Sequence, residues 1–134
     1  LSNIYGPGDK FSAKKNALQY LINEIKANRD IKLYHDGDVI RDFLHVSDCC
    51  NTIRLLVDNG EENIYNVSSG EGYNFFDILD YVRRLHGSSS RFNYCLPPRF
   101  HDIVQVKDMV LDNSKIKQLG FVPKISIWDG VKSL

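Results

Sequence analysis

The sequence has no excess of charge and no long apolar run, and these two absences narrow the classes of protein it can belong to. Lys and Arg number 17 and Asp and Glu number 17, so the formal net charge is zero. General nucleic-acid binders and membrane-surface proteins carry basic patches, whereas no Lys/Arg run here exceeds two residues. No apolar stretch approaches the roughly 20 residues that cross a bilayer. We therefore expect no nucleic-acid partner and no membrane association.

Cysteine is scarce as well. Cys49, Cys50 and Cys95 are an odd number and lack the spacing of a zinc site, so we expect reduced thiols in the core. Because the N-terminus lacks a basic-then-apolar leader, we expect a cytoplasmic protein. The chain begins at Leu1 with turn chemistry almost at once and ends inside a promising helix, so we expect a piece of a longer protein.

The composition favours one folded domain over residues 1–134. Hydrophobic residues make up 43% of the 134 residues and aromatics 11%, which is typical of a globular domain. A chain of this length can bury about two-thirds of its unfolded surface, enough for a core without disulfides or metal. No repeat, low-complexity tract or charged linker marks a boundary inside it.

Hydrophobic periodicity predicts alternating helices and strands, hence an α/β fold. Apolar residues on one helical face predict a helix from about Ser12 to Asn28. Residues 31–34 and 39–46 are expected to pair as a hairpin, and Ile64 to Val67 to form a buried strand. Further predictions are a helix capped by Ser47 or Asp48 and ended by Asn59-Gly60, a helix capped by Asn74 and closed by Gly87, a strand over Phe92 to Leu96, a short helix opened by Asp112 or Ser114, and a last helix after Ser126.

Two loop-like stretches place polar side chains where a ligand could reach them. Asn3 and Tyr5 belong to a turn built from Gly6, Pro7 and Gly8, which is either a ligand approach or an ordinary strand exit. Asn66 interrupts the predicted buried strand just before a loop of small residues. Loops at the carboxyl ends of such strands bind ligands in open α/β sheets.

Two arginines call for anionic partners. Arg41 lies among strand-forming apolar residues, and its forked guanidinium suits a phosphate, although a salt bridge to a carboxylate on another strand, equivalent in position to Asp42, is the alternative. Arg99 and Asp102 follow a rigid Pro-Pro pair three residues apart. They could hold a phosphate and a ribose hydroxyl, or they could pair with each other in solvent.

Several catalytic and metal-binding patterns are missing. The acidic and histidine residues between 35 and 45 lie on a turn and on opposite strand faces, so no metal site is predicted. The sequence has no G-x-G-x-x-G, no P-loop and no G-x-S-x-G, and no tyrosine has a lysine four residues later. Dinucleotide binding by this chain alone, hydrolase chemistry and tyrosine-lysine redox chemistry are therefore not expected.

Taken in order, the unusual stretches resemble the C-terminal half of the NAD-dependent nucleotide-sugar epimerases/dehydratases, which are extended short-chain dehydrogenase/reductases. The resemblance covers almost the whole chain and predicts a Rossmann-type α/β fold with a small mixed sheet and several helices. Its motifs are the N-x-Y-G-P-G turn from Asn3 to Gly8, the R-D-F-x-x-V-x-D segment within Gly37 to Asp48, Y-N-V-S-x-G from Tyr65 to Gly70, R-x-x-D from Arg99 to Asp102, and D-x-S-K-x-x-x-L-G-F-x-P from Asp112 to Pro123.

The resemblance also implies roles for individual residues, all of them in substrate binding rather than catalysis. A nucleoside-diphosphate sugar would contact Asn3, have its pyrophosphate held by Arg41, and lie beside Asn66. Arg99 and Asp102 would complete the phosphate and ribose contacts. Tyr5 and Gly6 would line the boundary between substrate and cofactor.

The family's NAD-binding loop and catalytic tyrosine-lysine pair belong to its N-terminal half and are absent here. The resemblance therefore implies a substrate-binding part of an NAD-dependent enzyme, inactive alone, with NAD bound mainly elsewhere. A non-catalytic ligand-binding module of the same fold is the alternative, and a chance match in an unrelated small α/β interaction domain is a third. Faces that would pack on the missing half would be exposed, so we expect self-association as a homodimer or larger species.

Overall fold

The structure, a computed structural model, describes residues 1–8, 17–61, 63–104 and 106–134, with the side chains at 101, 102 and 104 outside that description. Among the described residues, no helix is long and apolar enough to cross a membrane. The α-helices are α1 (Ala17–Lys26), α2 (Val46–Asn59), α3 (Phe75–Leu85), α4 (Arg99–Val104), α5 (Ser114–Gln118) and α6 (Ile127–Gly130). The strands are β1 (Asn3–Tyr5), β2 (Ile31–Tyr34), β3 (Ile40–Arg41), β4 (Phe43–His45), β5 (Tyr73–Asn74), β6 (Phe92–Cys95) and β7 (Asp108–Met109).

The strands form small parallel and mixed sheets, which confirms the predicted α/β class. Strand β1 pairs in parallel with β4, and β2 pairs in parallel with β6. Strand β3 lies between antiparallel β5 and parallel β7. The predicted hairpin is wrong, because β2 takes a partner about 60 residues away. The turn itself is tight, with positive φ at His35, Asp36 and Gly37, but it redirects the chain instead of pairing its flanks.

Two apolar clusters lie on opposite sides of β4, because successive strand side chains point to opposite faces. Phe43 belongs to the larger cluster, where α1 and α3 pack against β2. Leu44 belongs to the smaller one, with Val67, Ile116 and Phe121. Asp42, which precedes Phe43 in the chain, is fully buried, whereas Arg41 is half-buried.

Several local predictions are confirmed and others need correction. Helix α3 begins after Asn74, whose side chain accepts hydrogen bonds from the first turn, and it ends before Gly87, whose φ is +56°. Helix α1 ends at Lys26, and the predicted residues 12–16 lie outside the described part. The short helix and the last helix begin at Ser114 and after Ser126, and β6 covers the predicted strand up to Cys95.

Helix α2 begins two or three residues earlier than the predicted caps at Ser47 or Asp48 imply. Its cap is His45, whose Nδ1 accepts from the Ser47 amide, and Gly60 ends it with an ordinary φ of −76°. The predicted strand at 64–67 is wrong: no ladder forms there in the described structure, and Ile64 is 86% exposed. Of the three cysteines, Cys49 is buried, Cys95 is half-buried and Cys50 is exposed, so the expectation of core thiols fails for Cys50.

Candidate functional site

The centre of the candidate site is a buried carboxylate that sequence reasoning did not single out. Asp42 is 0% exposed. Its Oδ1 accepts from the Ser69 amide at 3.0 Å and the Ser69 hydroxyl at 2.7 Å. Its Oδ2 accepts from the amides of Gly70 at 3.2 Å and Leu111 at 3.3 Å. One side chain thus joins β3–β4 to the loop after residue 67 and to the segment after β7.

Those two segments are also bonded directly to each other. The Asn113 amide donates to the Ser68 carbonyl at 2.9 Å, and the Ser68 hydroxyl donates to the Leu111 carbonyl at 3.3 Å. Asn66, predicted to lie by the nucleotide, is exposed and donates from Nδ2 to the Asp112 carbonyl at 3.0 Å. Asn66 therefore stands at the solvent edge of a cross-linked loop, in a position that a ligand can reach.

Arg41, expected to hold a pyrophosphate, is half-buried against the segment that precedes β7. Its guanidinium donates to the carbonyls of Ile40 at 2.8 Å, Lys107 at 2.5 Å and Val106 at 2.8 Å. Burial lowers the pKa of Arg41, and the carboxylate of Asp108 opposes that effect. Carbonyl oxygens, rather than the carboxylate of the alternative interpretation, hold this guanidinium in the described structure.

The N-terminal turn lies against the same centre. Asn3 donates from Nδ2 to the Asp42 carbonyl at 3.0 Å, so its side chain is tied to the residue next to Arg41. Tyr5 is 2% exposed, and its hydroxyl donates to the Ser126 carbonyl at 3.2 Å. Burial, followed by the charge of Asp48, raises the pKa of Tyr5. The predicted substrate contact of Asn3 and the predicted cofactor boundary at Tyr5 stay predictions.

Gly6 fills a place that no larger residue can take. A Cβ at this position would lie 2.4 Å from Cγ1 of Val46, at the start of α2. The glycine thus lets the turn approach the helix N-terminus closely, whatever its role beside a ligand.

Arg99 and Asp102 lie on α4. This helix comes just before residues 106 and 107, to whose carbonyls Arg41 donates. Arg99 is exposed, as are Phe100 and Ile103 on the same helix, at 68% and 72%. The Asp102 side chain lies outside the described part, so its pairing with Arg99 or with a ribose stays a prediction. Asn3 thus bonds to the main chain of Asp42, Arg41 is the chain neighbour of Asp42, and Asn66 bonds to the segment that the Asp42 carboxylate also holds. Arg99 lies on a separate element, α4.

A second buried carboxylate, Asp48, performs a similar task at a distance from the loop. It is 2% exposed, and its Oδ2 accepts from the amides of Lys124 and Ile125, both at 3.0 Å. The predicted helix cap at Asp48 is wrong, because the carboxylate instead fixes the chain that leads into α6.

An aromatic cluster borders the loop on its other side. Tyr73 donates from its hydroxyl to the Glu71 carboxylate and meets Trp128 edge to face at 5.8 Å. Burial, with that hydrogen bond second, raises the pKa of Tyr73. The Tyr81 ring also meets Trp128, with ring centroids 5.2 Å apart. The three aromatic side chains pack on the larger core.

Neither a cluster of metal ligands nor a glycine-rich dinucleotide loop is found among the described residues of the candidate site. Among the described residues, no three His, Cys, Asp or Glu side chains are grouped to hold a metal ion. The sequence has no G-x-G-x-x-G loop, so the described residues offer no dinucleotide cradle of that type. What they offer is the half-buried guanidinium of Arg41 and the exposed carboxamide of Asn66.

Comparison with curated proteins finds relatives that match nearly the whole chain. The chain is 30% identical over 139 residues to GDP-L-fucose synthase 1 of Arabidopsis thaliana, covering 97% of this chain and 41% of the relative. It is 28% identical over 141 residues to CDP-abequose synthase of Salmonella typhimurium, covering 100% of this chain and 45% of the relative. The chain thus spans less than half the length of these relatives.

Solved structures share the fold over nearly the whole chain. A UDP-glucose 4-epimerase of Thermotoga maritima with UDP-glucose has a TM-score of 0.89 at 22% identity, over 98% of this chain and 42% of that one. A dTDP-glucose 4,6-dehydratase of Bacillus anthracis in complex with NAD has a TM-score of 0.79 at 20% identity, over 98% and 40%. The NAD dependent epimerase/dehydratase family model matches residues 1–68, just over half of the chain. With that match, the chain belongs to the NAD dependent epimerase/dehydratase family.

Proposed function

We propose that this chain is the nucleotide-sugar-binding, C-terminal part of an NAD-dependent epimerase/dehydratase. The observation that supports the proposal is a hydrogen-bond network in a member of this family: Asn3 bonds to the main chain of Asp42, the neighbour of Arg41, and the Asp42 carboxylate bonds to the two segments that Asn66 also links. A planar guanidinium recognises phosphate oxygens through paired charge-assisted hydrogen bonds, which suits the diphosphate of a nucleotide sugar. Exposed carboxamides such as Asn66 can donate to and accept from sugar or base groups.

The proposal assigns no catalytic step to these residues. The tyrosine whose acidity could matter, Tyr5, is buried and hydrogen-bonded to a carbonyl, and its pKa is raised. A base needs a pKa near the working pH and reach to its proton. The chain alone is therefore proposed to bind substrate without turning it over, and NAD to be held mainly by residues outside it.

Calorimetric titration of the full-length protein with UDP-, GDP-, CDP- and dTDP-sugars tests the proposal. Arg41→Ala should weaken binding of the preferred ligand by about 1.5–3 kcal/mol, the range for a hydrogen bond to a charged group. Arg54→Ala, which removes an exposed arginine on α2, is the matched control and should leave affinity unchanged. Equal affinities for the two variants would refute the assignment of Arg41. Binding without any turnover by the full-length protein would instead favour a non-catalytic module.

A further inference from the structure

Asp42 combines complete burial with a full set of hydrogen-bond donors from other segments. A buried carboxylate is costly unless each oxygen is compensated. Here each oxygen accepts two bonds, Oδ1 from the amide and hydroxyl of Ser69, and Oδ2 from the amides of Gly70 and Leu111. Three of the four donors are main-chain groups, so the bonds fix backbone rather than side chains.

This geometry makes the second oxygen essential. Asparagine at position 42 would keep one acceptor oxygen and turn an NH₂ group toward either Ser69 or the Gly70 and Leu111 amides. The new NH₂ group and the main-chain N–H groups on that side would then face each other in a buried place, and these donors would have no acceptor. A neutral, nearly isosteric change therefore releases one side of the loop while it leaves the shape of the side chain almost unchanged.

The loop that Asp42 holds is the one that carries Asn66, and its neighbour in the chain is Arg41. We propose that Asp42 is a positioning residue whose carboxylate fixes loop 66–70 relative to Arg41 and thereby sets the affinity for nucleotide sugar. This proposal rests on the proposed function for its ligand. Because the side chain is 0% exposed, Asp42 acts through the loop and not by touching the ligand.

Hydrogen exchange on the full chain tests the loop-fixing part without any ligand. In Asp42→Asn, the amides of Ser69, Gly70 or Leu111 should exchange at least about tenfold faster, relative to amides of the core helices. Asp48→Asn is the matched control, because Asp48 is equally buried and accepts from the Lys124 and Ile125 amides. It should speed exchange near 124–125 and leave loop 66–70 unchanged. Unchanged exchange in the loop of Asp42→Asn overturns the proposal.

Affinity for the preferred nucleotide sugar provides the second measurement, made on both variants well below their unfolding temperatures. Asp42→Asn should raise the Kd at least about tenfold, whereas Asp48→Asn with a similar loss of stability should not. Should Asp42→Asn fail to fold, Ser69→Ala removes the hydroxyl bond to Oδ1, together with the bonds of that hydroxyl to the Glu71 main chain, and should raise the Kd about twofold to fivefold. Faster exchange with unchanged affinity overturns the proposal. A wild-type protein that binds no nucleotide sugar refutes the proposed function instead, and the exchange result still decides whether Asp42 fixes the loop.

Discussion

Replacing Gly70 with alanine tests whether loop 66–70 is held as tightly as its hydrogen bonds indicate. Gly70 has a φ of +75°, and a Cβ there would lie 2.7 Å from both Nδ2 and Oδ1 of Asn113. Asn113 is 4% exposed and donates to the Ser68 carbonyl, so it cannot move aside without losing a buried hydrogen bond.

The expected cost has two parts. The left-handed backbone costs an alanine about 1–2 kcal/mol, and the smaller entropy of the unfolded chain offsets about 0.4–1 kcal/mol of that. Displacing Asn113 adds about 1–3 kcal/mol for the broken buried bond. Gly87→Ala is the control, because Gly87 has a φ of +56° and nothing within 4 Å of its Cβ position. Gly87→Ala should therefore show only the cost of the left-handed backbone.

Urea unfolding of both variants and the wild type measures the difference directly. Gly70→Ala should be less stable than Gly87→Ala by about 1–3 kcal/mol. Adding Asn113→Ala to Gly70→Ala should cost much less than Asn113→Ala costs alone, because both changes break the same contact. Equal stabilities of Gly70→Ala and Gly87→Ala would show that Asn113 yields freely, and the reasoning about this loop would be refuted.

Three further predictions concern charge, capping and assembly. The hydrogen bonds from Arg29 lower the pKa of Glu24, so this pair stabilises the fold above the unfolded pKa and the contribution is lost as pH falls through the lowered value. Between about pH 5 and pH 3, the wild type should therefore lose more unfolding free energy than Glu24→Gln, and parallel pH profiles would contradict this. Asn74→Ala should destabilise the protein by about 1 kcal/mol in thermal unfolding, since Asn74 accepts from two amides of α3, and no change would count against the cap. Ile53 and Val57 are 52% and 79% exposed on α2, so the chain should self-associate at micromolar concentration and Ile53→Ser with Val57→Ser should reduce this in light scattering. A sharp wild-type monomer peak would contradict the expected assembly.

Local signals were sufficient where the structure depends on neighbouring residues. The bounds of α3 follow from the capping chemistry of Asn74, the apolar spacing behind it and the left-handed conformation of Gly87. Sheet pairing depends on distant residues. Hydrophobic periodicity predicts that a segment is a strand but not which strand it pairs with. The turn at His35 to Gly37 was correctly placed, yet β2 pairs with a strand about 60 residues away.

The candidate site was only partly visible in the sequence for the same reason. Arg41 and Asn66 stand out in the sequence as polar residues in apolar surroundings, and in the structure both donate to main-chain carbonyls of the segments on either side of β7. The sequence gives Asp42 no role of its own in the site. Its real partners are amides 27 to 69 residues away, which no local pattern indicates.

Titration of the full-length, folded protein with a nucleoside monophosphate, a nucleoside diphosphate and a nucleotide sugar decides whether this chain holds such a ligand. We expect saturable binding of one nucleotide sugar, with affinity rising when the second phosphate is added, because a guanidinium gains charge-assisted bonds from it. A folded protein that binds no member of the series, or binds all of them with equal affinity, would contradict the claim that this chain holds a nucleotide sugar.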